Sequence, residues 1–92
     1  MIKSFKHKGL KLLFETGSKA GIEAAHAQKI ALRLSVLNGA KVIEDVDIQG
    51  FRLHQLSGDK GNLYSIRVTG NWRITFQFID GDVYIVNYED YH

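Results

Sequence analysis

The chain contains no cysteine, which excludes disulfides, thiolate metal sites and a cysteine nucleophile and fits a reducing compartment. It also lacks any apolar run near the ~18 residues that cross a bilayer, and its opening residues do not follow the basic, apolar, small-residue order of a secretory leader. A cytoplasmic protein is therefore expected. The four histidines, His7, His26, His54 and His92, do not fall in a metal-ligand spacing, so neither a metal nor another cofactor is expected. There are no repeats, low-complexity tracts or linker-like stretches to divide the 92 residues, and a single domain over 1–92 follows. A domain of this size has a thin core. The net charge is only +2, although the pI of about 9.0 leans towards an anionic partner if the basic groups cluster.

The periodicities point to an α+β fold. Residues Ile2 to Phe5 read as a short first strand, and Leu10, Leu13 and Phe14 then fall at helical spacing up to a stop at Gly17. A second helix is expected from about Ile22 to Leu37, with Ala27, Ile30, Ala31, Leu34 and Leu37 as its buried stripe and Asn38-Gly39 as its end. Glu44, Asp45 and Asp47 belong to a solvated loop or helical turn, and His7 and His26 to helix surfaces. From Phe51 the period becomes two, and turn residues at 57–59, 69–71 and 80–81 delimit strands over 51–56, 63–68, 72–79 and 82–88. The resulting picture is two N-terminal helices packed on a curved, mainly antiparallel sheet of four to five strands.

Turn geometry sets the faces of that sheet. A two-residue turn at Asp80-Gly81 puts Ile79 opposite Asp82, Phe76 opposite Ile85 and Arg73 opposite Tyr88. Trp72, Ile74, Phe76, Phe78, Val83 and Ile85 then form the core side. A three-residue loop at 69–71 adds Tyr64, Ile66 and Val68 to it, and pairing Leu56 with Leu63 adds Phe51 and Leu53. The other face collects Arg52, His54, Ser65, Arg67, Arg73, Thr75, Gln77, Tyr84 and Tyr88, and continued alternation extends it to Asp90 and His92. His54 and Arg73 should lie roughly 12 Å apart at Cα, a gap that their side chains and one phosphate can bridge.

Histidines, guanidinium groups and tyrosines without metal or thiol suit attack of an RNA 2′-hydroxyl on its neighbouring phosphate. A histidine or a carboxylate would take the 2′-OH proton, another histidine would protonate the leaving 5′-oxygen, and Arg73 would stabilise the charged phosphorane. Tyr88 or Tyr91 could stack on an unpaired base. Taken singly, each residue has a plainer account: an exposed strand histidine, an arginine on the solvent side of a strand, tyrosines favoured in strands, and a frayed polar tail.

Several segments together resemble the HigB-type toxins of the RelE/ParE toxin superfamily. They are the opening Met1-Ile2-Lys3-Ser4-Phe5-Lys6-His7-Lys8-Gly9-Leu10, then Leu53-His54 with Gly58-Asp59 and Tyr64-Ser65-Ile66, then Asn71-Trp72-Arg73-Ile74-Thr75-Phe76, and Asn87-Tyr88-Glu89-Asp90-Tyr91-His92. The resemblance implies a RelE-like fold and a bacterial toxin that enters the 30S A site of the 70S ribosome, beside 16S rRNA, and cleaves messenger RNA there. It further implies a metal-independent reaction leaving a 2′,3′-cyclic phosphate, and a cognate HigA-like antitoxin with a helix-turn-helix domain. By the same resemblance His54, Asp90, Tyr91 and His92 are catalytic or base-positioning and Arg73, the phosphate ligand, completes the catalytic set; Arg52, Arg67 and Tyr88 of the polar face, with Lys60, are expected along the RNA. Relatives often carry a basic residue where this chain has Ser57, a place that Lys60 or Arg67 would have to serve. Two rival expectations are a ParE-type inhibitor of DNA gyrase that cuts nothing, and an RNA-binding module without catalysis.

Overall fold

The computed structural model describes residues 1–56 and 62–91. Helix α1 (Lys8–Thr16) starts where the His7 ring accepts the Leu10 N–H at Nδ1, 3.2 Å away, a side-chain cap on one of the unpaired N–H groups of the first turn. It stops at Gly17, whose φ of 80° lets its N–H turn back to the Leu13 carbonyl at 2.9 Å. Helix α2 spans Ala27–Gly39 after a 3₁₀ turn at Ala24–His26, five residues later than the apolar pattern suggests. The delay has a tertiary cause. The backbones of Gly9 and Gly21 are in direct contact, and the extended Glu23 gives its N–H to the Tyr88 phenol, so this stretch cannot coil.

A Cβ on Gly9 would lie under 3 Å from three backbone atoms of Gly21. Gly9→Ala is therefore expected to cost roughly 1–3 kcal/mol in urea unfolding. Gly39→Ala, with nothing within 4 Å of the added carbon, should be neutral or slightly stabilising.

Ala27, Ile30, Leu34 and Leu37 of α2 are buried as expected, whereas Ala31 is exposed and Arg33 is only 7% exposed. Arg33 reaches inward because its polar groups are satisfied there. Its Nε donates to the Arg67 carbonyl at 2.7 Å, an Nη donates to the Lys29 carbonyl at 3.1 Å, and the guanidinium lies 4.4 Å over the Phe51 ring. The acidic stretch forms a 3₁₀ turn, Ile43–Val46, in which Asp45 accepts the N–H groups of Lys41 and Val42, and these bonds hold its carboxyl below the usual range. No helix among the described residues is long and apolar enough to cross a membrane.

The strands are β1 (His54–Gln55), β2 (Leu63–Thr69), β3 (Trp72–Ile79) and β4 (Asp82–Asp90), in that order across one antiparallel sheet. The expected strand at 2–5 is reduced to parallel bridges of Ile2 to Val83 and Phe5 to Val86, which line the free edge of β4. The expected strand at 51–56 forms a ladder only at 54–55, because Arg52 has φ of 51° and breaks the extended run. To either side the Leu56 N–H donates to the Leu63 carbonyl at 2.8 Å and the Arg67 N–H to the Phe51 carbonyl at 2.6 Å. Even so, His54 faces Ser65 in the register derived from Leu56 and Leu63. Gly70-Asn71 makes a tighter turn than expected, Thr69 facing Trp72, and the pairs from Arg67–Arg73 to Leu63–Gln77 follow the anticipated register.

The last hairpin departs from simple alternation. Asp80 and Gly81 both have positive φ, and Ile79 faces Asp82 as their turn demands. Between Gln77–Tyr84 and Thr75–Asn87, however, Ile85 and Val86 together oppose Phe76 in a β-bulge. Ile85 takes φ of 49°, and its N–H is satisfied by Ser4 Oγ at 2.8 Å. Beyond the bulge every side chain of β4 changes sides. Ile85 leaves the core, and Val86 and Tyr88 enter it beside Ile66, Val68, Ile74, Phe76 and Val83, closed over by Leu10, Leu13, Ile30, Leu34 and Leu37.

Candidate active site

On the sheet face away from the core, the register sets side chains in rows. One row is His54, Ser65, Thr75 and Asn87; the next is Arg67, Arg73 and Glu89. An Arg73 Nη donates to Ser65 Oγ at 3.3 Å, and Thr75 Oγ1 donates to Glu89 Oε2 at 3.4 Å, so buried hydroxyls steady both charged groups. Arg67 is steadied in turn by a 3.2 Å bond from its Nε to the Gly70 carbonyl. Two guanidinium groups directly across a strand pair repel each other. An anion held between them relieves that repulsion and gains charge-assisted hydrogen bonds from both.

Glu89 is the residue that sequence reasoning missed. Simple alternation puts Tyr88 and Asp90 beside Arg73, whereas the bulge puts Glu89 opposite Arg73 and turns Tyr88 and Asp90 to the helix side. No glycine, asparagine or turn residue marks the bulge in the sequence. Tyr91 falls on the side of Glu89, held by its backbone N–H to the Asn71 carbonyl at 2.8 Å. Burial first, and then Glu89, which accepts its hydroxyl, push the Tyr91 phenol up. Tyr91 is accordingly a neutral donor or stacking platform at physiological pH rather than a base.

Of the other expected residues, His54 is exposed on the edge strand, while Arg52 stands outside the sheet and is not brought into the rows. Lys60 and His92 lie outside the described residues. A cleft of about 280 Å³ opens beside the two rows, lined by Lys6, Leu56, Leu63, Thr75, Ile85, Asn87, Glu89 and Tyr91.

Tyr88 is withdrawn from the set that could stack on RNA, since it is 7% exposed and its ring stacks on Trp72 at 4.5 Å. His7 and His26, expected on helix surfaces, pack against it edge-on. Burial lowers the His7 pKa, which keeps the ring neutral and able to cap α1. His26 Nδ1 lies 2.5 Å from the Tyr88 phenol oxygen. Burial, and then the charges of Glu23 and Asp90, push Tyr88 up to about 12 against the Glu23 N–H bond that lowers it.

A tyrosine whose folded pKa exceeds its unfolded one lends stability below pH 10, and that stability is lost as pH rises towards 12. A rise from 10.0 to about 12 is worth at most ~2.7 kcal/mol, and solvent screening brings the expected loss to roughly 1–2 kcal/mol. Urea unfolding followed from pH 9 upward should show a smaller loss in Tyr88→Phe than in the native protein, since the raised Tyr91 phenol remains in both.

Residues 3–92 match the sequence model of the HigB-like toxin family, described as the RelE-like toxin of the type II toxin-antitoxin system HigB. Over 92 residues, all of both chains, the sequence is 55% identical to Endoribonuclease HigB of Proteus vulgaris.

Proposed function

Because the chain belongs to the HigB-like family of RelE-like toxins of type II toxin-antitoxin systems, we propose that it is an endoribonuclease toxin that cuts messenger RNA in the A site of the translating ribosome. The observation that carries this reading is the pairing of Arg67, Arg73 and Glu89 next to the His54 row on one open face. A phosphate between the two arginines would have its non-bridging oxygens bound by guanidinium groups, with Arg73 strengthening its bonds as the phosphorane gains charge.

The reaction needs no metal in this scheme. A base removes the 2′-hydroxyl proton, the 2′-oxygen bonds to phosphorus, and the bond from phosphorus to the 5′-oxygen breaks as an acid protonates that oxygen. A 2′,3′-cyclic phosphate and a 5′-hydroxyl result. His54 and Glu89 are the candidate bases beside the phosphate position, a histidine being able to give or take a proton in such a step. His92 is assigned the acid role, Tyr91 orients the nucleotide beside Glu89, and Asp90 shapes the tail from the Tyr88 side. Lys6, which lines the cleft, extends the basic approach to the RNA, and Lys60 is carried as a further RNA contact.

In this scheme the whole of 1–92 acts as one RelE-like domain with a curved sheet, working in the bacterial cytoplasm beside 16S rRNA. Its partner is a HigA-like antitoxin with a helix-turn-helix domain. The alternative, gyrase inhibition without cleavage, lacks a use for the His54 and Arg73 rows.

Purified protein added to translating ribosomes is expected to cut the message within the A-site codon. Arg73→Ala should slow single-turnover cleavage by roughly 100-fold. Intact message together with lost DNA supercoiling would decide for the gyrase reading, and ribosome binding without cleavage for a non-catalytic one.

A further inference from the structure

Ile85 keeps a β-branched side chain at φ of 49°, a conformation that crowds Cβ against the backbone and persists only where the surroundings impose it. Glycine or asparagine would accept the same backbone with less strain. Burial does not explain the isoleucine, for it is 44% exposed while Val83 and Val86 beside it are fully buried. Its position does. The bulge brings Ile85 to the cleft on the Arg73 face, where Leu56 and Leu63 are the other apolar lining residues and Asn87 a polar one.

We propose that Leu56, Leu63 and Ile85 form an apolar seat for one unpaired nucleobase of the RNA, next to the phosphate held at Arg73, with Asn87 reading the edge of that base. The proposal rests on the endonuclease reading of the same face. The register sets the spacing: Leu63 pairs with Gln77 and Ile85 lies opposite Phe76, three to four residues from Arg73 along β3, ~10–13 Å, a span covered by the Arg73 side chain together with the sugar and base of one nucleotide. A cleft of about 280 Å³ has room for one base. The Asn87 carboxamide offers both a donor and an acceptor, the combination that pairs with base edges.

The test is single-turnover cleavage of ribosome-bound messages carrying an abasic nucleotide at each A-site codon position in turn, by the native protein, Ile85→Gly and Ile85→Asn. One abasic position should slow the native protein at least tenfold. Both variants should be slowed as much on the intact message and lose nothing further at that abasic position, while melting at or above the native temperature because the strain is gone. Native rates in the variants, losses that multiply, or a fall of several degrees in melting temperature would each overturn the seat. A native protein that leaves the intact message uncut overturns the endonuclease reading, and the seat with it.

Discussion

Removal of Tyr91 and His92 should slow single-turnover cleavage by roughly a thousandfold, within the range attributed to positioned acid–base groups. The truncation takes away the assigned acid and the phenol that hydrogen-bonds Glu89 beside Arg73. It takes little from the fold. Tyr91 is 39% exposed, and its backbone contributes one hydrogen bond, to the Asn71 carbonyl, so urea unfolding should register a loss below about 1.5 kcal/mol. Tyr91→Phe separates the contributions, since it keeps the ring and removes only the hydroxyl. A truncated protein that cleaves at the native rate would refute the acid role, and one that no longer folds would show that the tail serves the sheet.

Phe76→Ala is expected to have the largest effect on stability, a loss of roughly 3–5 kcal/mol. Phe76 is fully buried, stacks on Tyr64 with centroids 5.9 Å apart, and is the residue that the bulge at Ile85 and Val86 opposes. Its removal leaves a cavity in a thin core and also takes away what the bulge packs across. Domains of this kind have only ~5–15 kcal/mol in total, so much of the margin would go. Urea denaturation monitored at Trp72 checks this, and a loss under 1 kcal/mol would mean the core collapses around the gap. The two experiments separate cleanly: the truncation should lose chemistry with the fold intact, and the core variant should lose both together.

What could be read from the sequence was what is decided locally. Asp80-Gly81 specifies its turn by the φ values those two residues tolerate, and the adjoining pairs follow from it. The apolar pair Leu56 and Leu63 was enough to bring His54 opposite Ser65. The failures share a cause in contacts between distant segments. The bulge that puts Glu89 in place of Tyr88 beside Arg73 is held by the hydroxyl of Ser4, and the late start of α2 by the contact between Gly9 and Gly21. Arg33, in a position that composition assigns to solvent, is drawn inward by the Arg67 carbonyl and the Phe51 ring. Periodicity carries no record of such partners.

The bond from the Ile85 N–H to Ser4 has a consequence in time. Its two residues are 81 apart in sequence, so at ~5–20 residues per second a ribosome making this chain reaches Ile85 about 4–16 s after Ser4. Through that interval the opening segment has no β4 edge to pair with, and Glu89 has not been made. A nascent chain therefore cannot assemble the face that carries Arg73 and Glu89 until its two extremities have met.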